Sequence, residues 1–188
     1  MKHFARWMLL TWIVVFTGCT GSSKYMQPAT PIQGPSPGKA LIYFMRPSGM
    51  GFAINFQIWD GDRFVGLSQA KSYFGYECQP GKHLFVGFAE NKRGLDADLE
   101  AGKTYYALTQ VKVGGWRARM AFIPVTRDSE YWNLVETYRT ELAYIAAKED
   151  MLMQWEEQKK AQALEVLAFL NSANGQEYIE KLNREDGR

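Results

Sequence analysis

The middle of the chain alternates apolar and polar residues with a period of two, which is typical of β-strands. Turn-forming residues separate the alternating segments. These segments are 39–47, 54–59, 63–68, 72–78, 83–90, 104–113 and 116–125. Short strands at this spacing predict an antiparallel β-sandwich of about seven or eight strands over residues 39–126. No helical segments alternate with the strands, which argues against a nucleotide-binding α/β fold.

The C-terminal extension, residues 127–188, has a different period. Residues 127–170 contain no glycine or proline, and apolar residues recur at steps of three or four, as in an amphipathic helix. The pattern predicts one long α-helix that ends near Ser172–Gly175. About forty helical residues would measure about 60 Å, so we expect part of the helix to dock on the sheet and part to project.

The first eighteen residues have the layout of a secretory signal peptide. Lys2 and Arg6 precede the apolar run Trp7–Phe16. A transmembrane helix needs about 20 apolar residues, so this run is short for a permanent span, although an uncleaved anchor is the alternative.

The end of that run, "FTGC" at residues 16–19, resembles the bacterial lipobox, with Phe16 where leucine is usual. The resemblance implies cleavage between Gly18 and Cys19 and acylation of Cys19. Buried acyl chains contribute about 0.8 kcal/mol per CH₂, and two or more chains make a stable anchor. Thr20 follows Cys19, as in lipoproteins that are forwarded to the outer membrane. We therefore expect a lipid anchor in the outer membrane, with the protein facing the periplasm.

A proline-rich segment follows the candidate lipidation site. Residues 20–38 contain four prolines and few apolar side chains. This composition predicts an extended linker, so residues 19–38 are interpreted as the lipidated cysteine and its tether.

Four segments of the β region carry a family resemblance. They are "GKALIYFMRPS" (Gly38–Ser48), "IWDGDRFVG" (Ile58–Gly66), "YFGYECQPGKHLF" (Tyr73–Phe85) and "LEAGKTYYAL" (Leu99–Leu108). In this order they resemble the domain-of-unknown-function family 2846, whose members are bacterial and often lipoproteins. The resemblance covers residues 38–124. It implies a β domain in the cell envelope, and it implies no activity and no catalytic residues.

The charge of the chain changes the functional picture in two ways. From Cys19 onward the chain has 20 basic and 20 acidic residues, which argues against a general nucleic-acid binder. The balance is uneven, because residues 20–126 carry 12 basic and 7 acidic side chains and residues 127–188 carry 8 and 13.

A basic surface is predicted on the last hairpin. With Gly114 and Gly115 as the turn, Lys112 lies opposite Arg117, and Gln110 lies opposite Arg119. Like charges on facing strands are destabilising unless solvent screens them or a partner neutralises them. We expect Lys112, Arg117 and Arg119 to form an interaction surface, either for anionic lipid or lipopolysaccharide or for the acidic tail. The acidic candidates are Glu130, Glu136, Glu141, Glu149, Glu156 and Glu157.

Candidate catalytic chemistry is limited to Cys78 and His83. A turn at Gln79–Lys82 would place them opposite each other, with Cβ atoms about 5 Å apart, so a nucleophile and base pair is possible. A buried structural thiol beside a hairpin histidine is the favoured interpretation. His83 is the one histidine after the signal peptide, and Asp60–Asp62 lacks the later ligands of a calcium loop. We predict no metal and no cofactor.

The sequence thus predicts a membrane-anchored lipoprotein that serves as a non-catalytic envelope binding or assembly module. Its partner would be the membrane, through the lipid on Cys19, and an envelope protein or glycan. Two alternatives stay open: an envelope thiol enzyme that uses Cys78 and His83, and a carrier of a small molecule or lipid inside the β domain.

Overall fold

Eleven strands form two sheets in the computed structural model, which describes residues 24–114 and 117–188. Of residues 113, 114, 117 and 118 only the backbone is described. The strands are β1 Met26–Pro28, β2 Ala40–Arg46, β3 Phe56–Asp60, β4 Arg63–Ser68, β5 Ser72–Cys78, β6 Gly81–Phe88, β7 Lys92–Leu99, β8 Thr104–Gly114, β9 Arg117–Pro124, β10 Ala143–Ala147 and β11 Ile179–Leu182. The signal peptide, Cys19 and the cleavage position lie outside the described residues.

The two sheets have the strand orders β1-β10-β5-β2-β8-β9 and β11-β7-β6-β3-β4. The protein is mainly β, with a C-terminal helix, as the sequence predicts. The number of strands is larger than seven or eight, and the sheets are not purely antiparallel. Strands β2 and β8, β10 and β5, and β11 and β7 pair in parallel. Parallel neighbours need long connections, and the chain between β2 and β8 supplies one by building most of the second sheet.

The core lies between the two sheets. Phe44 of β2 meets Phe85 of β6 with ring centroids 5.2 Å apart, so side chains of both sheets interdigitate. Gly87 allows a close approach of the two sheets, because a Cβ atom there would overlap the side chain of Met120. Side chains therefore fill the space between the sheets in this region.

The segment predicted as one long helix contains two helices and a strand. Helix α1 spans Val135–Glu141 and α2 spans Glu149–Asn171, with β10 between them. Strand β10 completes the first sheet between β1 and β5, and its Ile145 is buried. The apolar positions of this segment fit either period, and sheet pairing overrides the helical pattern.

The two helices cover different faces. Val135 of α1 packs in a cluster with Leu41, Tyr43 and Leu108 on the outer face of the first sheet. Helix α2 packs against β4, β6 and β7 of the second sheet. None of the helices in the described part of the chain is both long and apolar enough to span a membrane.

Most of the proline-rich segment is attached to the domain. Met26 is 1% exposed, and β1 pairs with β10. The Tyr43 hydroxyl donates a hydrogen bond to the Ile32 carbonyl, and the Ser36 amide donates one to Glu77. The structure differs here from the extended linker that the composition predicts, since backbone pairing and burial hold residues 24–38 in place.

Candidate functional site

The hairpin that was expected to join Cys78 to His83 does not form. Strands β5 and β6 belong to different sheets, so Cys78 pairs with Ala40 and His83 with Ala97. The two side chains nevertheless lie near enough for Cys78 to contribute, after Asp60, to the raised pKa of His83. The predicted proximity thus arises from the packing of the sheets.

His83 is held by two acceptors. Its Nδ1 lies 2.8 Å from Oδ2 of Asp60, and its Nε2 lies 2.8 Å from the Gln79 carbonyl oxygen. The hydrogen bond with Asp60, followed by that with Cys78, raises the pKa of His83 to about 10 against the opposing effect of burial. The ring is therefore protonated at neutral pH, and both N–H groups donate. Both ring nitrogens of His83 are thus held by groups other than the Cys78 thiol.

The rest of this polar group is also enclosed. The Tyr76 hydroxyl donates to Oδ2 of Asp60 over 3.1 Å, and burial followed by the charge of Asp60 raises the pKa of Tyr76. Cys78 is 5% exposed, and its Sγ lies 3.9 Å from the Ala40 carbonyl oxygen. We call Asp60, Tyr76, Cys78 and His83 the His83 cluster. The sequence placed Asp60 only in a turn, and nothing in it pointed to Tyr76.

The register of the last hairpin differs from the predicted one. Lys112 lies opposite Arg119, and Gly114 lies opposite Arg117. The predicted pairs Lys112–Arg117 and Gln110–Arg119 are wrong, because the register is shifted by two residues and Gln110 lies opposite Ala121. Lys112 and Arg119 are both exposed, while the side chain of Arg117 lies outside the described residues.

The acidic tail does not neutralise this surface. Helix α2 packs on the other sheet, and Glu136 of α1 pairs with Arg139 and Arg188 at 3.1 Å and 3.7 Å. Within the described residues, no salt bridge joins the tail to Lys112 or Arg119. The hypothesis that acidic residues of the long helix cover this face is therefore corrected.

Arg119 instead lines an open pocket of about 410 Å³. The pocket lies where the turn between β6 and β7 meets β9 and the end of α2. Its lining residues are Glu90, Asn91, Lys92, Arg93, Arg119, Phe169 and Tyr178. We call it the cationic pocket.

The walls of the cationic pocket are fixed by specific contacts. The Asn91 side chain donates to the Met120 carbonyl at 2.9 Å and accepts from the Met120 amide at 2.6 Å, which ties the turn to the edge of β9. The rings of Phe169 and Tyr178 lie 5.7 Å apart. These contacts hold the turn and the two aromatic rings that line the pocket in position.

The charges of the pocket are mainly positive. Lys92 Nζ lies 5.1 Å from the Phe169 ring centroid, and Arg93 Cζ lies 4.8 Å from that of Tyr178. Across the part of the chain that the structure describes, Lys92, Arg93 and Arg119 take part in no salt bridge. Three cationic residues thus line the pocket together with one acidic residue, Glu90.

The sequence pointed to one member of the pocket, Arg119, and missed the rest. Lys92 and Arg93 begin β7, which lies between the predicted strands 83–90 and 104–113, and Leu95, Ala97 and Leu99 alternate there with acidic residues. That alternation was the signal that could have identified the strand. Phe169 and Tyr178 come from the tail, and no local pattern connects them to β9.

No group of three or more His, Cys, Asp or Glu side chains within residues 24–114 and 117–188 could hold a metal ion. Comparison of the chain with protein-family models, curated proteins and solved structures gives no match.

Proposed function

We propose that this protein is a bacterial outer-membrane lipoprotein, anchored through Cys19 and facing the periplasm, whose β domain is a non-catalytic binding module. The cationic pocket carries the proposal, because it gathers three cations without ion-pair partners in the described structure. Membership of the β domain in the domain-of-unknown-function family 2846, which the four quoted segments suggest, is part of the same proposal.

The start of the folded domain supports a closely held anchor. Lys24 follows Cys19 by five residues, which can span at most about 18 Å when fully extended. Near Lys24, Tyr25 contacts Trp155 with ring centroids 4.2 Å apart, and Met153 is 75% exposed. Aromatic and long amphipathic side chains suit the interface of a bilayer. A lipid on Cys19 would hold this side of the domain next to the membrane.

The His83 cluster supports a non-catalytic role. A thiol enzyme needs an accessible nucleophile and a base that can accept its proton. Cys78 is buried, and both ring nitrogens of His83 are held by Asp60 and the Gln79 carbonyl. The enclosed polar contacts instead favour a structural role.

The proximity of Cys78 and His83 keeps the thiol enzyme as a second candidate. Alkylation of the folded protein with iodoacetamide separates the two. We expect Cys78 to react far more slowly in the folded protein than in urea, because the folded domain shields it. Rapid alkylation of folded Cys78, at a rate that falls in His83→Ala, would favour the enzyme.

The anchor is tested with the full chain expressed in a double-membraned bacterium. We expect mass spectrometry of the N-terminal peptide to show acylated Cys19 and no residues 1–18. Cys19→Ser should leave the membrane fraction, and Cys78→Ala is the matched control that should stay there. An unmodified Cys19 in the wild-type protein would refute the anchor.

A further inference from the structure

We propose that the cationic pocket binds a phosphate monoester, and this inference rests on the binding role proposed above. Lys92, Arg93, Arg119 and Glu90 together give the pocket a formal charge of +2. A phosphate monoester carries a charge of about −1.5 to −2 at pH 7 and therefore matches the pocket more closely than a single carboxylate.

The types of cation point to the same ligand. A guanidinium group presents a planar fork of N–H donors that matches two oxygens of a phosphate, and the pocket contains two such groups, those of Arg93 and Arg119. Lys92 adds a point charge. Asn91 is occupied by the backbone of Met120, so the recognition of the anion falls on the three cations.

The electrostatics also favour an external anion. Like charges held in one pocket repel each other, and the fold supplies no salt bridge that relieves Lys92, Arg93 or Arg119 among the residues it describes.

The remaining walls describe the organic part of the ligand. A volume of about 410 Å³ lies in the range of small-molecule sites, which is about 300–1,000 Å³. Phe169 and Tyr178 give an apolar wall, and Glu90 can accept hydrogen bonds from hydroxyl groups. A phosphorylated sugar has both features, as a free metabolite or as the headgroup of a lipid.

Calorimetry on the full-length protein in detergent tests the inference, with glucose 1-phosphate as the probe at pH 7.5 and low salt. We expect saturable binding, weaker binding of inorganic phosphate, and no binding of glucose. Affinity should fall as pH drops to 5.5, since the second phosphate pKa is about 6. Dimethyl phosphate, a monoanionic diester, should bind at least about tenfold more weakly, because charge-assisted contacts are lost.

Three variants locate the binding. Arg93→Gln and Arg119→Gln should each weaken glucose 1-phosphate binding about tenfold or more. Arg63→Gln removes the same charge from an exposed position of β4 and should change the affinity less than twofold. Equal losses in all three variants would show general electrostatic attraction and overturn the inference.

The source of the phosphate is resolved by competition. Dihexanoyl phosphatidic acid is a soluble lipid with a phosphate monoester, and dihexanoyl phosphatidylglycerol carries a diester. Displacement of glucose 1-phosphate by the first and not by the second would indicate a lipid headgroup, and displacement by neither would indicate a free sugar phosphate.

If neither glucose 1-phosphate nor inorganic phosphate binds to the folded, acylated protein, the inference is overturned and the proposed anchor is unaffected. Conversely, specific binding by a protein whose Cys19 is unmodified would support the pocket and refute the anchor.

Discussion

The His83 cluster and the cationic pocket both combine charged and aromatic side chains. They differ in whether the charged groups have partners of opposite charge within the protein. In the cluster, both ring nitrogens of His83 face acceptors at 2.8 Å, and Asp60 also accepts from Tyr76. In the pocket, three cations share one carboxylate and form no salt bridge within the described residues. Charges that are paired inside the fold stabilise it, whereas accessible charges without an ion-pair partner are available to a ligand.

Arg46 shows that the difference is a matter of partners rather than of charge. This arginine is fully buried, and burial lowers its pKa to about 10. Its guanidinium group donates to the carbonyl oxygens of Met50, Gly51, Ile54 and Ser68 at 2.6–3.3 Å. It also lies 4.4 Å from the ring centroid of Phe56. A cation without an acidic partner is therefore tolerated inside this fold when backbone oxygens surround it.

The largest effect is expected for Arg46→Met. Methionine retains much of the apolar volume but leaves several buried carbonyl groups without donors, so we expect a loss of about 3–5 kcal/mol in the free energy of unfolding. Urea unfolding followed by tryptophan fluorescence measures this loss. Arg63→Met, at an exposed position, is the control and should stay within about 0.5 kcal/mol of the wild type. A similar small effect at Arg46 would contradict the assignment of a structural role to the buried cation.

A smaller loss is expected for Asp60→Asn. The amide keeps the shape but removes the charge that faces His83 and Tyr76, and we expect a loss of about 1–3 kcal/mol at pH 7. Asp62→Asn is the matched control in the same turn. Asp62 is exposed and pairs with exposed Lys160, so its loss should be near zero.

The pH dependence of Asp60→Asn gives a second test. The pKa of His83 is raised from 6.5 to about 10 in the folded protein, so its stabilising contribution is complete below pH 6.5 and is lost as the pH rises through about 10. Wild-type stability should therefore decrease between pH 7 and pH 10, and the slope should be shallower in Asp60→Asn. Equal slopes in urea unfolding would show that Asp60 does not control His83.

The sequence predicted best the strands whose own side chains are buried on one face or on both faces of the sheet. Strands β4 and β5 match the predicted residues 63–68 and 72–78, and β2 was found within one residue. Their apolar periodicity is local and needs no knowledge of the partner strand. The main error in the middle of the chain was β7, where polar residues obscured the alternation.

The partners of these strands could not be predicted in the same way. Neither the parallel pairing of β2 with β8 nor the place of β10 in the first sheet follows from a local pattern, because both depend on contacts between distant segments. The pocket has the same origin. Arg119, Lys92 and Phe169 meet only after two sheets and a helix have packed, so a sequence pattern could indicate the basic charge but not its neighbours.

The smallest effect on stability is expected in the pocket itself. Arg119→Gln removes one of three converging cations and breaks no salt bridge within the described structure, so the free energy of unfolding should change by less than about 0.5 kcal/mol. Any gain should come from reduced repulsion and should disappear at 0.5 M salt, where the Debye length is only about 4 Å. Urea unfolding at low and high salt measures both quantities.

Arg184→Gln provides the matched control for that measurement. Arg184 is also largely exposed, but its Nε lies 2.8 Å from Oδ1 of Asp98, so its removal should lower the free energy of unfolding slightly at low salt. Arg184→Gln should therefore lower the free energy of unfolding, whereas Arg119→Gln should raise it slightly or leave it unchanged. A loss above 1 kcal/mol for Arg119→Gln would mean that the fold uses this cation as it uses Arg46. The distinction between the His83 cluster and the cationic pocket would then no longer hold.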